Sequence, residues 1–281
     1  MTLSHTPFGS NPSALAMHGL LCVVGVVAAS CGCLPSVADG FLFQPPRATY
    51  ADSPELTRLT TSDGVRISAL YLPNPNAQIT LLFSHGNGED LGMARDSIDQ
   101  LHKLGFAVLA YDYHGYGTSG GSPSEGATRL DIDAVYDHLT GPLAVPPSRI
   151  IVYGRSLGGG PSTELASRRP VGGLVLEATF VTAVRVVTDA TILPIERYPN
   201  IDRIRNVRCP VFIMHGVEDG VVPLWHGEDL IDAANEPKFF WAVPGARHLR
   251  VMRHPHYARM LQGFAAYVAM RTPQPGASKL P

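Results

Sequence analysis

The sequence predicts an α/β protein, a mostly parallel sheet of eight strands flanked by helices. Three observations carry that reading. Short apolar runs of the kind buried on both faces recur at residues 79–83, 107–110, 150–153, 174–176, 211–214 and 239–243. Helix-forming stretches lie among them at 94–104, 124–139, 157–168, 226–234 and 255–270, several opened by Ser, Asp or Pro. The boundaries are punctuated by many of the 28 Gly and 24 Pro.

In chain order, residues 56–61 and 65–72 flank the turn Ser62-Asp63-Gly64 and read as an antiparallel hairpin at one edge. Pro73-Asn74-Pro75-Asn76 then breaks the chain. The six apolar runs follow, each leading into a helix or a crossover, which is the form of β/α units with parallel strands. No internal repeat is visible, and the Pro-, Gly- and Ser-rich tail 272–281 reads as disordered.

A chain of 281 residues, 45% hydrophobic and 16% charged, suits one catalytic-sized domain, placed at 41–271, with a core large enough to need no disulfide or metal. Its 22 Lys+Arg against 24 Asp+Glu leave a net charge of −2. No summed positive field is then available to attract nucleic acid or an anionic membrane, and nucleic acid is not expected as a partner.

The four cysteines, Cys22, Cys31, Cys33 and Cys209, fit neither a disulfide framework nor a zinc template. Three of them accompany an apolar run at 14–29, shorter than a comfortable bilayer span, which ends in Ala28-Ala29-Ser30 before Cys31. This resembles the end of a bacterial lipoprotein signal, with Cys31 as the lipidated residue after cleavage. Acylation of the Cys22, Cys31 and Cys33 group beside an uncleaved anchor is a second reading, and an ordinary secretory signal a third. Residues 1–40 are therefore read as an address, with membrane association through the N-terminus as the expectation.

Two G-x-S-x-G matches occur, Gly154-Arg155-Ser156-Leu157-Gly158 and Gly117-Thr118-Ser119-Gly120-Gly121. A nucleophilic serine needs a sharp turn between a strand and a helix, with small residues two before and two after it. Ser156 follows the run 150–153 and precedes a helix-forming stretch, whereas Ser119 lies in a polar, Gly-studded loop. Ser156 is the expected nucleophile. It needs a base and an acid to orient that base. His248 follows the last core run and Asp219 follows the run 211–214, both at carboxyl ends of strands where an open parallel sheet places ligands. His254 and His256 read as surface positions at a helix start, and Glu218 is a possible substitute for Asp219. Backbone N–H groups for an oxyanion come by position from Leu157 and from the loop Ser84-His85-Gly86-Asn87-Gly88, in which His85 reads as an organiser of the loop.

The stretches Phe83-Ser84-His85-Gly86-Asn87-Gly88-Glu89-Asp90-Leu91-Gly92, Tyr111-Asp112-Tyr113-His114-Gly115-Tyr116-Gly117, Tyr153-Gly154-Arg155-Ser156-Leu157-Gly158, Tyr198-Pro199-Asn200-Ile201-Asp202 and His215-Gly216-Val217-Glu218-Asp219 resemble the α/β-hydrolase superfamily. Among its branches the chain is most similar to the one that holds the membrane-attached protein depalmitoylases and their bacterial relatives. The resemblance implies an α/β-hydrolase fold, Ser156, Asp219 and His248 as catalytic triad, and Asn87 and Leu157 at the oxyanion hole. The family loop usually has Ala where Gly88 stands, a change expected to loosen the loop. Glu177, at the end of another strand, is an alternative triad acid.

Between residues 180 and 209 there is room for only a minimal cap, of one or two short helices. The expected substrate is an acyl ester or thioester presented on a protein, a lipid or a membrane, and no metal or organic cofactor is implied. A peptidase of the same superfamily and a non-catalytic membrane-attached binding protein are the alternatives.

Overall fold

The computed structural model describes residues 39, 40, 42–187 and 197–271. The chain divides into Met1–Leu42 and Phe43–Pro281, and the architecture below is that of the second unit. Cys22, Cys31, Cys33, the apolar run and the tail 272–281 lie outside the described residues.

The eight strands are β1 (Leu56–Thr60), β2 (Arg66–Leu72), β3 (Thr80–Ser84), β4 (Ala107–Tyr111), β5 (Ile150–Arg155), β6 (Gly173–Glu177), β7 (Val211–Gly216) and β8 (Lys238–Val243), and they form one sheet in the order β1-β2-β4-β3-β5-β6-β7-β8. β1 pairs antiparallel with β2 and β2 with β4; every other pairing is parallel. Every residue of β3 to β7 is buried, while the edge strands β1 and β8 are only partly so. That is why the central strands are written as unbroken apolar runs rather than alternating ones.

Helices α1 (Leu91–Lys103), α2 (Glu125–Thr140), α3 (Gly159–Arg168), α4 (Ala183–Val187), α5 (Asn200–Arg203), α6 (Trp225–Ala233) and α7 (Tyr257–Arg271) connect and follow the strands. α1 opens three residues before the expected 94, because the Asp90 carboxylate caps it by accepting from Met93 N at 2.9 Å. Ser124 caps α2 in the same way, through Ala127 N at 3.0 Å. Short α4 and α5 match the expected minimal cap on the β6–β7 connection; the segment 188–196 lies outside the described residues. The two ends of this connection are tied together, Ala183 N donating to Arg197 O at 2.9 Å, Ile201 N to Val181 O at 3.1 Å and Asn200 Nδ2 to Phe180 O at 3.0 Å.

Strand order places the site. From β3 the chain runs outward to β4, then crosses back so that β5 lies on the other side of β3. The loops leaving β3 and β5 therefore diverge and leave a crevice at their carboxyl ends. Register aligns the ends that border it: Ser84 pairs with Gly154, Arg155 with Glu177, and Gly216 with Val243.

Candidate active site

The chain turns sharply after Arg155. Ser156 has φ of +52°, a left-handed conformation that side chains rarely adopt, and it opens a 3-10 turn, Ser156–Gly158, that runs directly into α3. Close packing holds the turn there. A Cβ on Gly158 would lie 2.1 Å from Ser84 O, and one on Gly159 would lie 1.8 Å from Thr179 Oγ1. Only glycine allows that approach. Thr179 Oγ1 in turn donates to Ser156 O at 2.8 Å, so the loop after β6 braces the turn.

Ser156, Asp219 and His248 come from three separate loops and meet. Ser156 Oγ lies 2.9 Å from His248 Nε2, and His248 Nδ1 lies 2.8 Å from Asp219 Oδ2. A carboxylate can only accept, so Nδ1 carries the proton and Nε2 is left to accept the serine hydroxyl's. The second Asp219 oxygen accepts from Val221 N and Val222 N, each at 2.9 Å. Burial pushes this carboxyl's pKa up, but the His248 imidazole and the two N–H donors outweigh it, and the net shift is downward. Glu218, the possible substitute, is exposed, while Asp219 is buried. His215 Nε2, 3.5 Å from Asp219 Oδ2, donates to Val222 O at 2.8 Å, and burial lowers the pKa of His215, keeping it neutral beside the carboxylate.

The loop after β3 abuts the serine: a Cβ on Gly86 would lie 3.7 Å from Ser156 Cβ. Several bonds fix it. Asn87 Oδ1 accepts from Tyr116 Oη at 2.7 Å and from Gln44 N at 3.0 Å, and Gly86 N donates to Glu89 Oε2 at 2.9 Å. Gly88, at φ +71°, sits within this bonded loop. His85 is buried, its Nε2 3.1 Å from Asp112 Oδ1 and its ring 4.3 Å from that of Tyr113. Leu157 follows the serine within the turn that leads into the positive end of α3, and Asn87 follows Gly86 in the β3 loop.

The rival residues Ser119 and Glu177 have partners of their own. Ser119 Oγ donates to Asp112 O at 3.0 Å and accepts from Ser68 N at 2.9 Å, which ties its loop to β2. Glu177 is fully buried and accepts from Tyr153 Oη at 2.5 Å; burial raises its pKa, against the pull of Arg155, while His248 is bonded to Asp219. His254 is half-buried and His256 exposed.

Sequence reasoning passed over Arg155. It is 4% exposed, and its guanidinium donates to Glu89 Oε2 at 2.8 Å and to Ser97 Oγ on α1 at 2.9 Å, with Met252 Sδ at 3.7 Å. One side chain therefore joins the turn of Ser156, the loop of Asn87 and the segment after His248. The signal was an arginine ending a buried apolar strand, which requires a buried partner. His226 was also missed: it is buried, its Nδ1 accepts from Val181 N at 3.2 Å, and burial together with His215 and Arg185 lowers its pKa to about 4.

A relative from Caenorhabditis elegans, the α/β-hydrolase domain-containing protein aho-3, is 32% identical over 93% of this chain and 86% of its own. The human α/β-hydrolase domain-containing protein 17B is 35% identical over 76% of each chain. This chain is an α/β-hydrolase. The family model described as serine aminopeptidase, S33, matches residues 75–197 of the hydrolase. Its fold is shared with an esterase of Pyrococcus furiosus, Pf2001, at TM-score 0.68 and 19% identity, over 80% of this α/β-hydrolase and 97% of that chain.

Proposed function

We propose that this hydrolase cleaves acyl esters or thioesters by two-step acyl transfer, with Ser156 as nucleophile, His248 as general base and then acid, and Asp219 as the group that orients and stabilises the imidazole. The observation that carries the reading is the unbroken relay from Asp219 through His248 to Ser156, at 2.8 and 2.9 Å. His248 takes the serine proton as Oγ attacks the carbonyl. The backbone N–H groups of Asn87 and Leu157 receive the oxyanion. His248 returns the proton to the leaving alcohol or thiol, then deprotonates water to release the acid. Membrane association through residues 1–40, with Cys31 as lipidation candidate, belongs to the same proposal.

The peptidase alternative takes support from the family model's description. A carboxylate to hold a peptide's amino end is what it needs. Among the described residues near the serine, Asp219 is engaged by His248, Glu177 by Tyr153, and Glu89 by Arg155 and Gly86; exposed Glu218 in the Asp219 loop is the group that reading would have to use.

Labelling by a fluorophosphonate probe tests the mechanism. Wild type and Ser119→Ala should label, and Ser156→Ala should not; a wild type that does not label would leave the non-catalytic binding protein as the better reading. Turnover of nitrophenyl esters and acyl thioesters, set beside aminoacyl amides, tests the substrate class. Faster cleavage of the amides would replace it with the peptidase.

A further inference from the structure

We propose that the loop carrying His248, with the neighbouring ends of β3 and β7, is a face that docks on an anionic lipid bilayer. The near-zero total charge conceals a strong asymmetry. No Asp or Glu follows Glu236, whereas Lys238, Arg247, Arg250, Arg253, Arg259, Arg271 and Lys279 do. Three of these arginines lie within five residues of His248 in the chain. Arg250 N donates to Arg247 O at 2.9 Å and Arg253 N to Arg250 O at 3.0 Å, so two successive turns carry Arg247, Arg250 and Arg253. Between them His248 is bonded to Ser156, and Val251 is buried. All three arginines are exposed, and none forms an ion pair among the described residues.

Apolar side chains share this end of the sheet. Val217 is 48% exposed, Val221 56%, Leu249 49% and Met93 51%. Val217 and Val221 follow β7, Leu249 follows β8, and Met93 lies in the first turn of α1, past the loop that leaves β3. The β7 and β8 loops are tied together by Val217 N to Val243 O and Glu218 N to Ala246 O, each at 3.0 Å. Exposed Glu218 is the carboxylate between them.

Unpaired guanidinium groups interleaved with single aliphatic side chains spread over three loops suit a bilayer interface, where phosphates meet the former and the acyl boundary the latter. A soluble acidic protein would leave the aliphatic groups without a shaped partner. Docking here would bring Ser156 toward acyl groups held at the surface. The inference does not depend on the acyl-transfer reading, because binding can be measured on a protein that lacks the serine.

The test is co-sedimentation of the full chain carrying Ser156→Ala with vesicles of phosphatidylcholine alone and of phosphatidylcholine with phosphatidylglycerol. Partition due to residues 1–40 is common to all variants and appears with phosphatidylcholine alone; the readout is the gain from anionic lipid. Replacing Arg247, Arg250 and Arg253 by Ser should lower that gain by about fivefold for each arginine, on the order of a hundredfold together. The Lys triple variant should retain it. Ser at Arg149, Arg205 and Arg208, which precede β5 and β7 at the opposite end of the sheet, makes the same charge change and should leave it intact. Leu249→Ser with Val221→Ser should weaken binding without changing its salt dependence. Equal losses in the two Ser triples, or none in the first, would overturn the proposal. So would a first triple that keeps its vesicle binding but loses binding to polyglutamate, which would point to an acidic protein instead.

Discussion

Replacing Arg155 by Met removes a buried guanidinium while keeping much of its volume. Glu89 would keep only Gly86 N as a donor, with its side chain 14% exposed. Stranding one member of a buried ion pair costs about 3–5 kcal/mol, and the partial exposure of Glu89 puts the expectation near the lower end. For a domain of this size that lowers the melting midpoint by roughly 6–12 °C. Removing both charges, Arg155→Met with Glu89→Met, should recover part of the loss, with a coupling energy of about 2 kcal/mol in a double-mutant cycle. Turnover gives a second readout. With Glu89 released, the loop bearing Asn87 loses its tie to the serine turn, so kcat should fall by about tenfold or more while KM changes little. Urea melts and ester kinetics on the three variants decide the matter. Additivity within about 0.5 kcal/mol, with kcat unchanged, would refute the idea that this pair couples turn and loop.

Ser119→Ala should cost about 1–2 kcal/mol through its bonds to Asp112 O and Ser68 N, with ester turnover unaltered, as denaturant melts and kinetics would record. Gly159→Ala should abolish turnover and destabilise by more than about 3 kcal/mol, because its Cβ would fall 1.8 Å from Thr179 Oγ1; calorimetry and labelling check both halves. For His226, a folded pKa of about 4 lies below the ordinary 6.5, so between those values the unfolded chain binds a proton that the native one excludes. Stability is therefore lost as pH falls from 6.5 through 4, and His226→Gln should flatten that part of the melting-point profile.

Much of this molecule could be read before its coordinates, for identifiable reasons. The central strands are buried on both faces, so β3 to β7 appear as apolar runs, and the polar residues that end them stand out as loops. Ser156 and Asp219 each lie just past such a run, and His248 follows the partly exposed edge strand β8, whose residues 239–243 are apolar in sequence. Ser119 was separable from Ser156 by the same criterion. The early start of α1 was hidden because Asp90 acts through its side chain, and Gly92 in the first turn is a poor helix former. The Arg155–Glu89 pair spans 66 residues of sequence and depends on the β3–β5 register, which no local pattern encodes. His226 was equally opaque: its role follows from burial against Val181 N, a long-range contact.

The β6–β7 connection has a closed neck, drawn shut by the bonds from Ala183 to Arg197, Ile201 to Val181 and Asn200 to Phe180. A loop with its ends already joined can be exchanged without disturbing what lies beneath it, since doubling its length costs only about 0.6 kcal/mol of closure entropy. Ser156, Asp219 and His248 follow β5, β7 and β8, outside that connection. Segments of other lengths grafted between Val187 and Arg197 should therefore leave the serine, the histidine and the aspartate anchored to strands the graft never touches.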